Sequence, residues 1–265
     1  MRVAIGVSYD GSGFDGWQSQ PSGNTVQDNL ERALGAIACE PVRIAGAGRT
    51  DAGVHATAQV AHFDTSADRE VQAWVRGTNT HLPDSVAVQW AVPVEEDFHA
   101  RFSARGRSYR YLLYNHPVRP SVFAGRCGWY HGRLDEDAMA QALEAVVGEH
   151  DYSAFRAAEC QAKTPVRTID QASVARSGDW ICFEFTANAF LHHMVRNLVG
   201  CLVYVGAGRH PPSWMEQVLQ SRDRKLAAPT FASGGLYLCG VRYDPQWSLP
   251  GFPDQIPFFR QGATS

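Results

Sequence analysis

The run Gly48 to Ala56, GRTDAGVHA, sets a carboxylate, Asp51, two residues from a guanidinium, Arg49, in a segment punctuated by Gly48 and Gly53. Glycines permit the sharp backbone turns that lift a side chain out of a loop and into a cleft. Arg49 is the natural partner of Asp51, because a positive charge within a few ångströms lowers a carboxylate pKa by roughly 1 to 3 units. An aspartate kept ionised in a partly dry site can attack carbon or stabilise developing charge. The same letters also describe an ordinary turn, with Asp51 bonded to its own backbone and Arg49 in solvent.

Two further positions carry chemistry. Arg196 is a lone cation on the apolar stretch from Phe190 to Val205. Burying it without a carboxylate would be costly, so Asp51 is its candidate partner, with a solvated helix face or another acid as alternatives. Tyr109 lies in Arg107-Ser108-Tyr109-Arg110-Tyr111, where strand alternation sends both tyrosines to one face. From the residues alone, such a pair reads as core aromatics. His192 and His193 have no third ligand at recognisable spacing, so no metal is expected, and His55 and His62 read as structural hydrogen-bonders. The chain has no Walker-type phosphate loop, which leaves a hydrolase or phosphotransferase reading without its machinery.

The elements that must position these residues follow from periodicity. Strands are expected over Val3 to Tyr9, Val42 to Ala47, Val60 to Asp64, Val86 to Val94, Ser108 to Tyr114, Val166 to Ala175, Trp180 to Ala187 and Leu236 to Tyr243. Helices are expected over Val26 to Cys39, capped by Asn24 or Thr25, and over 71 to 81, Asp135 to Val147, Phe190 to Val205 and Ser213 to Gln220. The Asp51 loop then hangs between ordered strands. On the fourth helix, Leu191, Met194, Val195, Leu198, Leu202 and Val205 form a buried stripe, with His193, Arg196 and Asn197 elsewhere around the axis.

A chain of 265 residues with 45% hydrophobic content predicts one or two domains with a substantial core. Six separated cysteines, without a Cys-x-x-Cys pair, suggest free thiols in a reducing cytoplasm. The apolar start is broken at Ser8 and Asp10, unlike a secretory signal. The longest uncharged apolar run, Asn197 to Gly208, falls short of the roughly 20 residues a bilayer requires. A net charge of −3 argues against bulk attraction to nucleic acid. Yet Phe98 to Leu134 contains no acid and seven arginines, at 101, 105, 107, 110, 119, 126 and 133. Guanidinium groups suit phosphates and base faces.

The Asp51 run resembles the catalytic-loop signature of the TruA family of tRNA pseudouridine synthases. YDGSGFDGWQSQ (Tyr9 to Gln20), FHARFSARGRSYRYLLYNH (Phe98 to His116) and FLHHMVRNLVG (Phe190 to Gly200) resemble further blocks of that family, in the same order. The chain departs from the pattern at Ser19, where a basic residue is usual, and at Asp15, where an aromatic is. The resemblance implies an α+β pseudouridine synthase fold with a mostly antiparallel sheet, two ferredoxin-like halves and a cleft between them. Residues 1 to 105 would form the half carrying the aspartate loop, 106 to 245 the second half, and 246 to 265 a Pro- and aromatic-rich tail outside the family core. It further implies isomerisation of uridine to pseudouridine in the anticodon stem-loop of tRNA, at positions 38 to 40, by a cytoplasmic homodimer. Asp51 would be the nucleophile, Tyr109 the ring packed on the target base, and Arg49 and Arg196 substrate contacts. No cofactor is required, because the reaction is neither redox nor energy-coupled. The alternative is a non-catalytic tRNA-binding or RNA-chaperone module of the same fold.

Overall fold

The computed structural model describes residues 1 to 253; Phe258 and Phe259 of the expected tail lie outside the described residues. The chain forms two compact units, one built from Met1–Arg105 and the segment beginning at Tyr237, the other from Gly106–Leu236. The last strand thus belongs with the first hundred residues, although it follows the second unit in sequence.

In the first unit, β1 (Arg2–Tyr9) is buried along nearly its whole length. Val3, Ile5 and Val7 point to one face, while Ala4 and Gly6 leave room on the other. That room is used: a Cβ at Gly6 would lie 2.2 Å from Cε2 of Trp90. Helix α1 (Val26–Ala38) is capped by Thr25, which accepts the Asp28 N–H and donates its hydroxyl to the Asp28 carboxylate. Strands β2 (Ile44–Gly46) and β3 (His55–Asp64) flank the Asp51 loop. β3 begins at His55, five residues before the extended pattern was expected to resume.

The helix expected over 71 to 81 is not a plain α-helix. It contains a π stretch, Ala73–Gly77, followed by the single turn α2 (Thr78–His81). The Trp74 ring meets Phe63 edge-on at 5.1 Å, and Gly77 is packed so closely that a Cβ there would lie 2.8 Å from Ile37 Cδ1. Hydrophobic spacing cannot register one widened turn. β4 (Val86–Val94) then returns along β1.

The second unit opens with β5 (Ala104–Asn115), its first two residues still in unit one. A short strand, β6 (Gly128–Tyr130), pairs parallel to β5 within the span between Tyr114 and Asp135, where no strand or helix is expected from periodicity. Helix α3 (Glu136–Glu144) is capped by the Asp135 carboxylate and ends three residues early. Gly148, at φ +105°, turns the chain into an edge strand, β7 (Gly148–Asp151), too short and polar to be read from sequence. β8 (Val166–Ser177) and β9 (Trp180–Ala187), both expected as strands, pair antiparallel as a hairpin. Helix α4 (Met194–Gly206) starts four residues later than expected, because His193 adopts φ +62°. α5 (Trp214–Ser221) and β10 (Leu236–Tyr243) complete the order.

The sheet of the first unit runs β4-β1-β3-β10, with β2 also on β3; every pairing is antiparallel except β3 with β10. In the second unit β5-β9-β8-β7 are antiparallel neighbours. The expected α+β class with mostly antiparallel sheets holds in both. Trp247, Leu249 and Phe252 pack against the cluster of Ala4, Val60, Trp90 and Phe98, so the described part of the Pro-rich segment covers the first unit's core. No helix among the described residues is long and apolar enough to cross a membrane.

Candidate active site

Asp51 sits in a loop whose backbone is fixed on both sides by buried groups. Upstream, the Gln59 side chain, fully buried on β3, clamps the Gly48 peptide: its amide donates to the Gly48 carbonyl at 2.7 Å, and its oxygen accepts the Gly48 N–H at 3.2 Å. Immediately before Asp51, the Thr50 hydroxyl and the Tyr9 hydroxyl share a hydrogen bond of 2.8 Å. Burial pushes the Tyr9 phenol well above its ordinary range, and contacts to Thr50 and Gln59 only partly oppose this, so it stays neutral. Downstream, the Val54 N–H closes a turn onto the Asp51 carbonyl at 3.1 Å, with Gly53 at φ +76°. Asp51 itself is half-buried, where a carboxylate can be reached and is still partly shielded from water.

The block Tyr9 to Gln20 is the other wall of this loop. The Trp17 N–H donates to the Thr50 carbonyl at 3.0 Å, and the Gly11 N–H donates to His55 Nδ1 at 3.0 Å. Gly11 and Gly16 permit that approach: a Cβ on Gly11 would lie 1.9 Å from the Val54 carbonyl oxygen, and one on Gly16 2.7 Å from that of Thr50. The His55 ring is buried and stacks on Tyr237 at 4.6 Å, a supporting role. At the two departures from the family pattern, Ser19 bonds the Asp28 carboxylate at 2.5 Å and Asp15 accepts the Ser22 hydroxyl at 2.7 Å. Both residues brace the loop internally.

Arg49 does not pair with Asp51. Its side chain is exposed and makes no hydrogen bond or ion pair with any described residue, so the partnership expected from their spacing is not formed.

Tyr109 and Arg196 belong to the second unit. Tyr109 is 9% exposed at the edge of the core and meets Phe190 edge-on at 5.1 Å, whereas Tyr111, two residues on, is 0% exposed and donates its hydroxyl to the Ala232 carbonyl at 2.8 Å. Alternation puts both on one face, with Tyr109 the slightly less enclosed of the two. Arg196 is half-buried in the first turn of α4, where its Nε donates to the Phe231 carbonyl at 2.9 Å and its own carbonyl accepts the Phe231 N–H at 3.2 Å.

Asn197 was expected to lie off the buried stripe; instead it is wholly buried. Its Nδ2 donates to the Phe155 carbonyl at 2.8 Å, and its Oδ1 accepts from Thr230 at 2.7 Å and from Arg224 at 3.1 Å. The strap 224 to 231 that grips Arg196 is therefore anchored by the next residue of the same helix. The arginine block is partly structural: Arg105 pairs with Asp244 at 2.8 Å, Arg110 with Glu184 at 2.5 Å, and Arg107 donates to the Asn188 carbonyl at 3.1 Å. Arg119 and Arg133 stay exposed, as a phosphate contact requires.

Sequence reasoning missed Tyr9, Gln59, Gly11 and Gly16 as parts of this site. The signal was a tyrosine closing a buried strand and a glutamine amid the apolar run of β3, two polar groups that must find partners inside.

Residues 5–103 and 142–244 match the family model described as tRNA pseudouridine synthase. The chain is 62% identical to tRNA pseudouridine synthase A of Dechloromonas aromatica over 94% of its own length and 95% of that protein. It is 61% identical to tRNA pseudouridine synthase A of Aromatoleum aromaticum, over 95% of each chain. Among solved structures, a chain of an archaeal box H/ACA sRNP complex aligns at a TM-score of 0.37 and 12% identity, covering 85% of this chain and 59% of that one. With a braced aspartate loop and near-complete correspondence to such relatives, this chain belongs to the tRNA pseudouridine synthase family.

Proposed function

We propose that this protein isomerises uridine to pseudouridine at positions 38 to 40 of the tRNA anticodon stem-loop, with Asp51 as the nucleophile. The observation that carries the reading is the contrast at the loop: its backbone is pinned by Gln59 and Trp17 and its Thr50 side chain by Tyr9, while Asp51 is left half-buried. A nucleophile held this way spends little reorganisation energy on reaching its target.

The bond between ribose carbon 1 and uracil nitrogen 1 breaks, the base turns, and ring carbon 5 bonds to the same ribose carbon. The proton on carbon 5 is lost and nitrogen 1 gains one, so atoms and electrons balance without a cofactor. Asp51 supplies the carboxylate beside sugar and base. Tyr109 packs its ring on the everted uracil, contributing about 1 to 3 kcal/mol toward the few kcal/mol that extrusion costs. Arg196 and Arg49 contact the substrate, Arg196 from a fixed position and Arg49 from a free one. We place the enzyme in the cytoplasm as a homodimer, in which arginines of both copies share one tRNA.

The test is tritium release from tRNA labelled at uracil carbon 5. The native protein should release label to completion, and Asp51→Asn should give background release with tRNA binding retained. Binding without release by the native protein would favour the RNA-chaperone reading; full release by Asp51→Asn would remove the nucleophile assignment.

A further inference from the structure

At the end of α4 remote from Arg196, four side chains form a ladder of planes. The Arg209 guanidinium lies over the Tyr204 ring, 4.6 Å from its centroid. His210 stacks on Trp214 at 4.0 Å with an 11° tilt, and Tyr204 is nearly parallel to both, 15° from His210 and 17° from Trp214. Local backbone bonds set the ladder: the Arg209 N–H donates to the Tyr204 carbonyl at 3.0 Å and the Trp214 N–H to the Pro211 carbonyl at 2.9 Å.

The polar heads of these rings are unspent. The Tyr204 hydroxyl, the His210 ring nitrogens, the Trp214 indole N–H and the Arg209 guanidinium make no hydrogen bond with any described residue. The three rings are half-buried and Arg209 is exposed. Aromatics that serve the core of the same unit behave otherwise: the Tyr111 hydroxyl bonds the Ala232 carbonyl and the Tyr152 hydroxyl the Val146 carbonyl. Parallel π faces beside a free guanidinium match an unpaired nucleotide, whose base stacks and whose phosphate takes a bidentate pair. An acidic protein partner would use the cation and leave the flat faces without a purpose.

The geometry points to a second RNA contact: the ladder of Tyr204, Arg209, His210 and Trp214 takes an unpaired nucleotide of the bound tRNA, with Arg209 on its phosphate. This rests on the tRNA-modifying function proposed above. Tyr204 follows Arg196 by eight residues on α4, about 12 Å along a helix axis, so the nucleotide held here is not the target uridine.

The experiment compares native protein with Arg209→Ala, Arg209→Lys and His210→Ala, measuring tRNA binding by fluorescence anisotropy across a salt series and turnover by tritium release. Arg209→Ala and His210→Ala should each raise Kd and KM by roughly five- to tenfold and leave kcat within about twofold. The slope of log K against log salt should shrink by about 1 for Arg209→Ala alone. Arg209→Lys should keep the slope. Unchanged Kd in both alanine variants overturns the inference, as does a change of sedimentation mass without RNA, which would make the ladder a contact between copies. Tritium release by the native protein is read separately: its absence, with tRNA binding still weakened in the variants, sinks the catalytic reading and leaves the RNA contact standing. Failure of the native protein to bind tRNA sinks both.

Discussion

Gln59 illustrates how the proposed nucleophile depends on a buried residue outside its own loop. Its amide satisfies both the donor and the acceptor of the Gly48 peptide, three residues before Asp51. Gln59→Leu would leave those two backbone groups without partners at a cost of about 1 to 3 kcal/mol each if they stay buried, so the loop should relax outward to reach water. The expected result is a fall in kcat on the order of tenfold to a hundredfold with tRNA Kd nearly unchanged, because ångström-scale misplacement costs about that much. Gly11→Ala should act more strongly, since its Cβ would overlap the Val54 carbonyl. A proportional loss of tRNA binding in either variant would show that the loop grips RNA rather than aims a carboxylate. At this scale the residues around Asp51 left an ordinary turn open and the family resemblance singled the aspartate out, whereas its supports were not legible: Gln59 and Tyr9 become a loop clamp only after β1 and β3 pair with Val7 opposite Gln59.

At the scale of elements, α4 is where sequence pattern and structure part most instructively. The stripe Met194, Val195, Leu198, Leu202 and Val205 is buried as its spacing implies, yet Asn197, Gly200 and Gly206 are buried as well, because the helix is enclosed nearly all round. Gly200 and Gly206 allow close approach of Pro229 and Met139. Asn197 has its amide and carbonyl groups engaged by Phe155, Thr230 and Arg224. Asn197→Leu removes all three bonds, strands the buried Phe155 carbonyl, and leaves Arg224 held only by Thr230 and the Ala227 and Ala228 carbonyls. It should lower stability by about 2 to 4 kcal/mol, read as the midpoint of urea unfolding, and lower kcat through the freed strap that holds Arg196. A midpoint shift below about 0.5 kcal/mol would mean that water replaces Asn197 without penalty. The late start of α4 turns on His193 in the left-handed region, and the π stretch at Ala73–Gly77 on one widened turn. Neither leaves a trace in hydrophobic periodicity.

For the first unit as a whole, pH sensitivity follows from histidines folded in neutral form. His62 accepts the Ala100 N–H on Nδ1, packs 4.6 Å from His99, and has its pKa lowered to about 4, first by burial, then by His99 and Arg2. His99 is shifted the same way, chiefly by burial. An unfolded histidine takes up its proton near pH 6.5, while the folded form refuses it until about pH 4 for His62, so the unfolded chain binds more protons in that window. Stability should be full above about pH 6.5 and fall as pH drops toward 4. Melting temperature measured across that range should show the slope, and His62→Gln should flatten it. A profile flat from pH 7 to 4.5 in the native protein would refute the assignment.

The sequence by itself determined the family, the α+β class, most strands and helices, and the residue on which the chemistry is proposed to rest, because these depend on local periodicity and on contiguous motifs. Tertiary structure decided which polar groups brace the aspartate loop, that Arg49 stays unpaired beside Asp51, that Asn197 lies inside, and that the last strand returns to the first unit. Those outcomes depend on partners dozens of residues away, and no window of neighbouring letters holds the energy of a contact that exists only after the chain has closed on itself.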